Sequence, residues 1–175
     1  MLRRVTLHPL DPTAVAPFGK VIGPALLAGS TAADARGLEF GCDGKAELTL
    51  VRWPYKPIRF SVFERHHRVS QAFIILEGIA AVAVVAPPTP GSDRPVATDV
   101  AAFLLRPGTG ILVNRGVWHT LERFPIDPPH ATGLLVTERE TAEDFAAQQP
   151  GRRLQRSDLA DLRALEGVEF EVDLG

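Results

Sequence analysis

The 175-residue sequence predicts a mainly β fold, an antiparallel sandwich or barrel with a few short helices, mostly C-terminal. Three observations carry this. Short apolar runs rich in Val, Ile and Phe recur along the chain. Fifteen prolines and fifteen glycines punctuate them. Helical signals come only late, so the order does not suit an alternating α/β sheet.

The elements follow in order. Residues 46–53 read as a strand. Residues 57–66 form a second, alternating and rich in β-branched or aromatic side chains. Residues 71–76 and 79–86 are apolar runs joined at Glu77-Gly78, which reads as a hairpin turn. The proline-rich stretch 86–93 cannot continue a ladder, because proline has no N–H to donate, and is read as an exposed loop. Strands are expected at 100–105, 111–113, 117–121 and 132–137, separated by turns at 106–110, 114–116 and 125–129. Thr141 is placed to cap a helix over 142–149, with Glu143 and Asp144 favourable in its first turn. Ser157 is placed to cap another over 158–165, ended by Gly167. Val168, Phe170, Val172 and Leu174 alternate as a last strand. The whole is expected to be one domain over 1–175, with 141–175 an extension packed on it.

Composition bounds the function. A net charge of −2 gives no footprint for nucleic acid or an anionic membrane. No apolar run approaches transmembrane length. The first residues are basic but lack an apolar stretch behind them, so no secretory signal is expected. Cys42 is the single cysteine, which forbids an intrachain disulfide and fits a cytoplasmic location. It reads as a small filler or surface residue.

The chemistry concentrates in two places. Ile58, Phe60, Val62, Glu64 and His66 have one parity, so a carboxylate and an imidazole continue an apolar row. Such groups are costly to bury unless paired, hydrogen-bonded or ligating. His119 follows the glycine turn at Gly116 and shares parity with Val117 and Leu121. Two imidazoles, the Glu64 carboxylate and the Gln71 amide oxygen suit a divalent cation such as Mn, Fe, Ni or Zn. The plainer reading is two satisfied core histidines and an arginine-paired Glu64. It must account for three polar groups on apolar strand faces together. His67 has the opposite parity and is expected at the rim, and Arg65 is expected to face away from Glu64. His8 and His130 stand beside prolines in expected loops, while Phe73 and Trp118 read as packing residues. Gly108-Thr109-Gly110 lacks the Lys-Ser/Thr of a phosphate loop.

The segment Glu64-x-His66-x4-Gln71-x6-Gly78 resembles the first cupin motif, and Gly116-x-x-His119 the second. More narrowly, Glu64-Arg65-His66, Ser70-Gln71-Ala72-Phe73-Ile74 and Arg115-Gly116-Val117-Trp118-His119 are similar to the signature of the ureidoglycolate lyases. The opening Ala16-Pro17-Phe18-Gly19-Lys20-Val21-Ile22 is similar too. The resemblance implies a cupin-type, jelly-roll-like antiparallel β-barrel. It implies cleavage of ureidoglycolate to glyoxylate and urea in purine nitrogen catabolism, by a homodimer acting on a small carboxylate without nucleic acid or membrane. Glu64, His66 and His119 are the implied catalytic residues. Gln71, Arg52 and Arg115 are the implied substrate contacts. A divalent ion, if bound, falls to Glu64, His66, Gln71 and His119. Arg52-x-Pro54 echoes a family Arg-x-x-Pro, and Arg52 shares parity with Leu48 and Leu50, which is expected to point it inward. The chain departs from the family at His67, Val69 and Ile75, at Asn114 and Thr120, where histidines are common, and at Gly133, where an acidic residue is common. The two missing histidines motivate a second reading, a cupin that binds a small carboxylate without turning it over.

Overall fold

A computed structural model describes residues 1–27, 37–148 and 153–174. Its elements in chain order are β1 (Leu2–Pro9), α1 (Pro12–Val15), β2 (Gly19–Ile22), β3 (Ala46–Pro54), β4 (Arg59–Phe60), β5 (Val62–His66), β6 (Gln71–Gly78) and β7 (Ala81–Ala86). Then come β8 (Ala101–Leu105), β9 (Gly110–Val113), β10 (Trp118–Thr120), β11 (Phe124–Pro125), β12 (His130–Glu138) and α2 (Arg139–Ala146). The last are β13 (Ser157–Asp161), α3 (Leu162–Glu166) and β14 (Glu169–Asp173).

The strands build two sheets. One runs β13-β5-β10-β7-β8-β1-β14-β4, with β11 also on β7; the other runs β2-β9-β6-β12-β3. The mainly β expectation holds, and nearly all pairings are antiparallel. The exception is β1, which lies parallel to both β8 and β14. Its partners are far away in sequence, so no tight turn dictates their direction. No helix among the described residues is long and apolar enough to cross a membrane.

Strand β7 shows how the core is divided. Ala81, Ala83 and Val85 join Phe73, Ile75 and Val113 in the core between the sheets. Val82, Val84 and Ala86 join Phe60, Phe63, Trp118 and Phe170 in a second core behind the larger sheet. Burial on both faces explains why β7 reads as a continuous apolar run rather than an alternating one. In the second core, Phe60 stacks on Phe170 at 5.3 Å between centroids, and Phe63 meets both rings edge-on at 5.7 Å. Each such ring, fully buried, contributes about 1.5–3 kcal/mol.

Several expectations are corrected. Glu77-Gly78 does not close a hairpin. Strand β6 is flanked on both edges by β9 and β12, so β7 joins the other sheet and the turn carries the chain across. The row from Ile58 to His66 is interrupted at Ser61: Ile58 and Phe60 pack with Phe63 behind the sheet, while Glu64, one position on, faces the opposite way. Thr141 does not cap α2, which starts at Arg139; its hydroxyl donates to Glu138 Oε1 at 2.9 Å. The end expected at residue 149 lies outside the described residues. Ser157 starts a strand, not a helix, because β5 offers it a free edge. The helix begins only after Asp161, whose carboxylate accepts from the Arg163 N–H at 3.0 Å, and ends where Gly167 takes φ +69. Beyond residue 141 the chain contributes two strands to the larger sheet, with β13 on β5 and β14 between β1 and β4. Strands β1 and β2 had no sequence reading.

Gly133 explains one departure from the family pattern. A Cβ there would lie 2.4 Å from the Trp53 ring and 2.6 Å from the Ile74 carbonyl oxygen. Trp53 therefore fills the space an acidic side chain would need. We expect Gly133→Ala to lower stability by about 1–3 kcal/mol through overpacking, read as a shift in urea midpoint at unchanged slope.

Candidate active site

Strands β5 and β10 are antiparallel neighbours, and their register sets His119 directly opposite Glu64. Side chains in that relation lie within reach of one another. His66, two residues along β5, shares the Glu64 face. The turn that delivers β10 is fixed by Gly116, whose φ of +77 suits glycine. Its N–H donates to the His66 carbonyl at 2.8 Å, tying the turn to the end of β5. Gln71 enters from the opposing sheet, on the inward face of β6 with Phe73 and Ile75.

The result is a buried polar cluster inside the β-container. Glu64, His66, Gln71 and His119 are all buried. Glu64 Oε1 lies 3.2 Å from His119 Nε2 and 3.8 Å from His66 Nε2. The two imidazoles meet edge-on at 5.0 Å. Each is oriented from behind. The His119 Nδ1–H donates to the Val117 carbonyl at 3.2 Å, which turns Nε2 toward Glu64. His66 Nδ1 meets the Ser157 hydroxyl at 2.8 Å. The Gln71 amide donates to Thr137 Oγ1 at 3.3 Å, leaving its own oxygen free. Among the described residues, His66 Nε2, His119 Nε2 and Gln71 Oε1 are all buried without a hydrogen-bond partner. Unmatched acceptors of this kind are rare in folded proteins.

The electrostatics suit a charged carboxylate beside a neutral His66 ring. Burial pushes the Glu64 carboxyl up, but His119, His66 and the Arg123 guanidinium together hold it below its usual range. Burial and the neighbouring His119 lower His66 to about 4, against the pull of Glu64. Its ring is therefore neutral at pH 7 and offers a lone pair. Donor atoms of Glu64, His66 and His119 lie within 4.8 Å of one another, so the group could hold a metal ion. The bare acceptors fit that use, because a cation would satisfy the atoms the protein leaves unmatched.

Two expected residues fall elsewhere. Arg52 points outward with Leu48 and Leu50; on β3 it is Val51 and Trp53 that face the core. Arg115 lies at the surface and pairs with Asp43 at 2.8 Å. As expected, Arg65 turns away from the cluster, stacking on Trp118 and pairing with Asp158 at 2.7 Å, while exposed His67 also reaches Asp158. Cys42 is half-buried, its Sγ 3.3 Å from the Gly44 carbonyl. Two residues escaped the sequence reading. Ser157 was disguised as a helix cap. Arg123, 1% exposed, follows β10 where no periodicity marks it.

A two-sheet β-container with an inward carboxylate–imidazole cluster set by paired strands places this chain among mainly β proteins with a buried polar site. The comparisons narrow this class. The sequence profile of the ureidoglycolate lyase family matches residues 2–150, and the chain belongs to that family. Ureidoglycolate lyases of Rhodobacter capsulatus, Pseudomonas syringae pv. tomato and Azotobacter vinelandii are 34%, 35% and 33% identical to it over 129 residues. These alignments cover 67% of this chain and 77%, 74% and 76% of the relatives. Among solved structures, RmlC from Streptococcus suis in complex with dTDP-D-xylose overlaps 74% of this chain and 54% of its own, with 10% identity and a TM-score of 0.37. That similarity is too loose to say anything of this chain. Family membership favours an enzyme over a binder without catalysis.

Proposed function

We propose that this chain is a ureidoglycolate lyase that releases glyoxylate and urea, with Glu64, His66 and His119 as its proton-handling residues. The observation that carries the reading is the cross-strand register of His119 on Glu64, within the segments that match the family signature. The reacting carbon of the substrate bears a hydroxyl, a carboxylate and the ureido nitrogen. The hydroxyl gives up its proton as the carbonyl forms, the carbon–nitrogen bond breaks with its electron pair passing to nitrogen, and nitrogen takes up a proton. The reaction thus moves one proton from oxygen to nitrogen. Glu64, charged at neutral pH, accepts it; His119 Nε2, 3.2 Å from that carboxylate, is the next base in line. His66, neutral and oriented by Ser157, presents its Nε2 lone pair beside Glu64. A divalent cation held by Glu64, His66, Gln71 and His119 would lower the pKa of the substrate hydroxyl and fix its oxygen; Mn, Fe, Ni and Zn all suit these donors. A cytoplasmic homodimer completes the proposal.

The test is glyoxylate and urea release from racemic ureidoglycolate, with and without a chelator. Release well above buffer is expected, falling on chelation and returning with added cation. Release no faster than in buffer overturns the substrate assignment. Release indifferent to the chelator removes the cation and leaves the proton transfer to the side chains alone.

A further inference from the structure

Arg123 is a buried charge that the reaction above does not use. Its guanidinium is buried, and charged arginine is almost never left so unless paired. Only one of its nitrogens is satisfied: Nη1 donates to the carbonyls of Thr120 and Glu122. Nε and Nη2 have no partner among the described residues. Those two nitrogens form one edge of the guanidinium plane, the edge that grips a carboxylate with two parallel hydrogen bonds. Arg65 uses the same edge on Asp158, with Nε and Nη2 at 2.9 and 2.7 Å from one oxygen. In Arg123 neither nitrogen of that edge meets an acceptor among the described residues.

The side chain is also fixed in place. Its guanidinium carbon lies 3.2 Å from the centroid of the Phe73 ring, and Phe73 in turn meets the His119 ring at 5.5 Å. Glu64 feels the Arg123 charge and Arg123 feels that of Glu64. Rigid, stacked and two-thirds unsatisfied, the guanidinium stands beside the polar cluster as a prepared anion receptor. Neither Arg52 nor Arg115 offers the cluster such an edge, since one points outward and the other is engaged by Asp43.

We propose that Arg123 is the carboxylate anchor of the site, its Nε–H and Nη2–H donating to the carboxylate carried by the reacting carbon of a small 2-hydroxy acid. This rests on the reading of the chain as a lyase for such a substrate, and adds the residue that decides which small molecules the cluster accepts. Anchoring the carboxylate at Arg123 holds the neighbouring hydroxyl toward Glu64 and His119. It also keeps the negative substrate from being repelled by Glu64.

The experiment compares calorimetric binding of glycolate and its uncharged amide, glycolamide, by the full chain and by Arg123→Gln and Arg123→Lys, with circular dichroism confirming the fold of each. The chain itself is expected to prefer glycolate by about ten- to a hundredfold, the range expected for charge-assisted hydrogen bonds. In Arg123→Gln that preference collapses toward unity, with glycolamide affinity little changed. Arg123→Lys, which keeps the charge but loses the fork, falls between. Equal binding of the two ligands by the unaltered chain overturns the proposal whether or not the variants fold. So does a folded Arg123→Gln that keeps the preference, or one that loses both ligands alike. Arginine-dependent glycolate binding without turnover of ureidoglycolate would retain the anchor and discard the reaction. Turnover with an unchanged KM in Arg123→Lys would do the reverse.

Discussion

His119→Ala is expected to lower kcat/KM for ureidoglycolate by about 10²–10⁴, the usual worth of a general acid or base. The substitution removes the Nε2 that faces Glu64 at 3.2 Å and one of the donors that could hold a cation. It also releases the Val117 carbonyl from its hydrogen bond and opens space beside Phe73. Some loss of stability accompanies it, so the assay belongs well below the unfolding midpoint, with unfolding curves taken in parallel. A folded His119→Ala that turns over like the parent would show that the cluster is not where the chemistry occurs.

Arg156→Leu should produce the largest change in stability, about 3–5 kcal/mol, the range for removing one partner of a buried ion pair. Glu138 is fully buried at the end of β12, where its Oε1 takes Arg156 Nη1 at 2.7 Å and the Thr141 hydroxyl at 2.9 Å. Its Oε2 accepts from the Gly44 N–H at 2.9 Å. This one carboxylate joins the approach to β3, the first turn of α2 and the approach to β13. Without Arg156 the charge remains among neutral donors only. The double change Arg156→Leu with Glu138→Gln should lose less than Arg156→Leu alone, because the neutral amide needs no cation: its oxygen accepts from the Gly44 N–H and its NH2 donates to the Thr141 hydroxyl oxygen. Urea unfolding of both variants measures the difference.

Much of this was legible in the residues. Proline and glycine punctuation gave the strand-rich architecture, and the strand positions from residue 46 to 137 fall close to the observed ones. Glu64, His66, Gln71 and His119 could be picked out as polar groups on apolar strands. Their convergence could not, because it depends on β5 pairing with β10 and on β6 crossing from the other sheet, and periodicity carries no information about partners. Arg52 failed for a related reason. Alternation separates two faces but does not say which is inside, and on the edge strand β3 the leucines are the exposed set. Ser157 failed because serine before a mixed segment is an equally good helix cap or strand residue. Arg123 had no local signal, since its burial comes from folding back over Phe73.

The bond from His66 to Ser157 spans 91 residues. During synthesis the imidazole therefore emerges long before the hydroxyl that will aim it. Until β13 arrives, β5 has an open edge, with Glu64 and His66 on a strand ready to pair with any passing backbone. Competence for chemistry and protection from aggregation are thus acquired in one late step, when β13 closes over that edge.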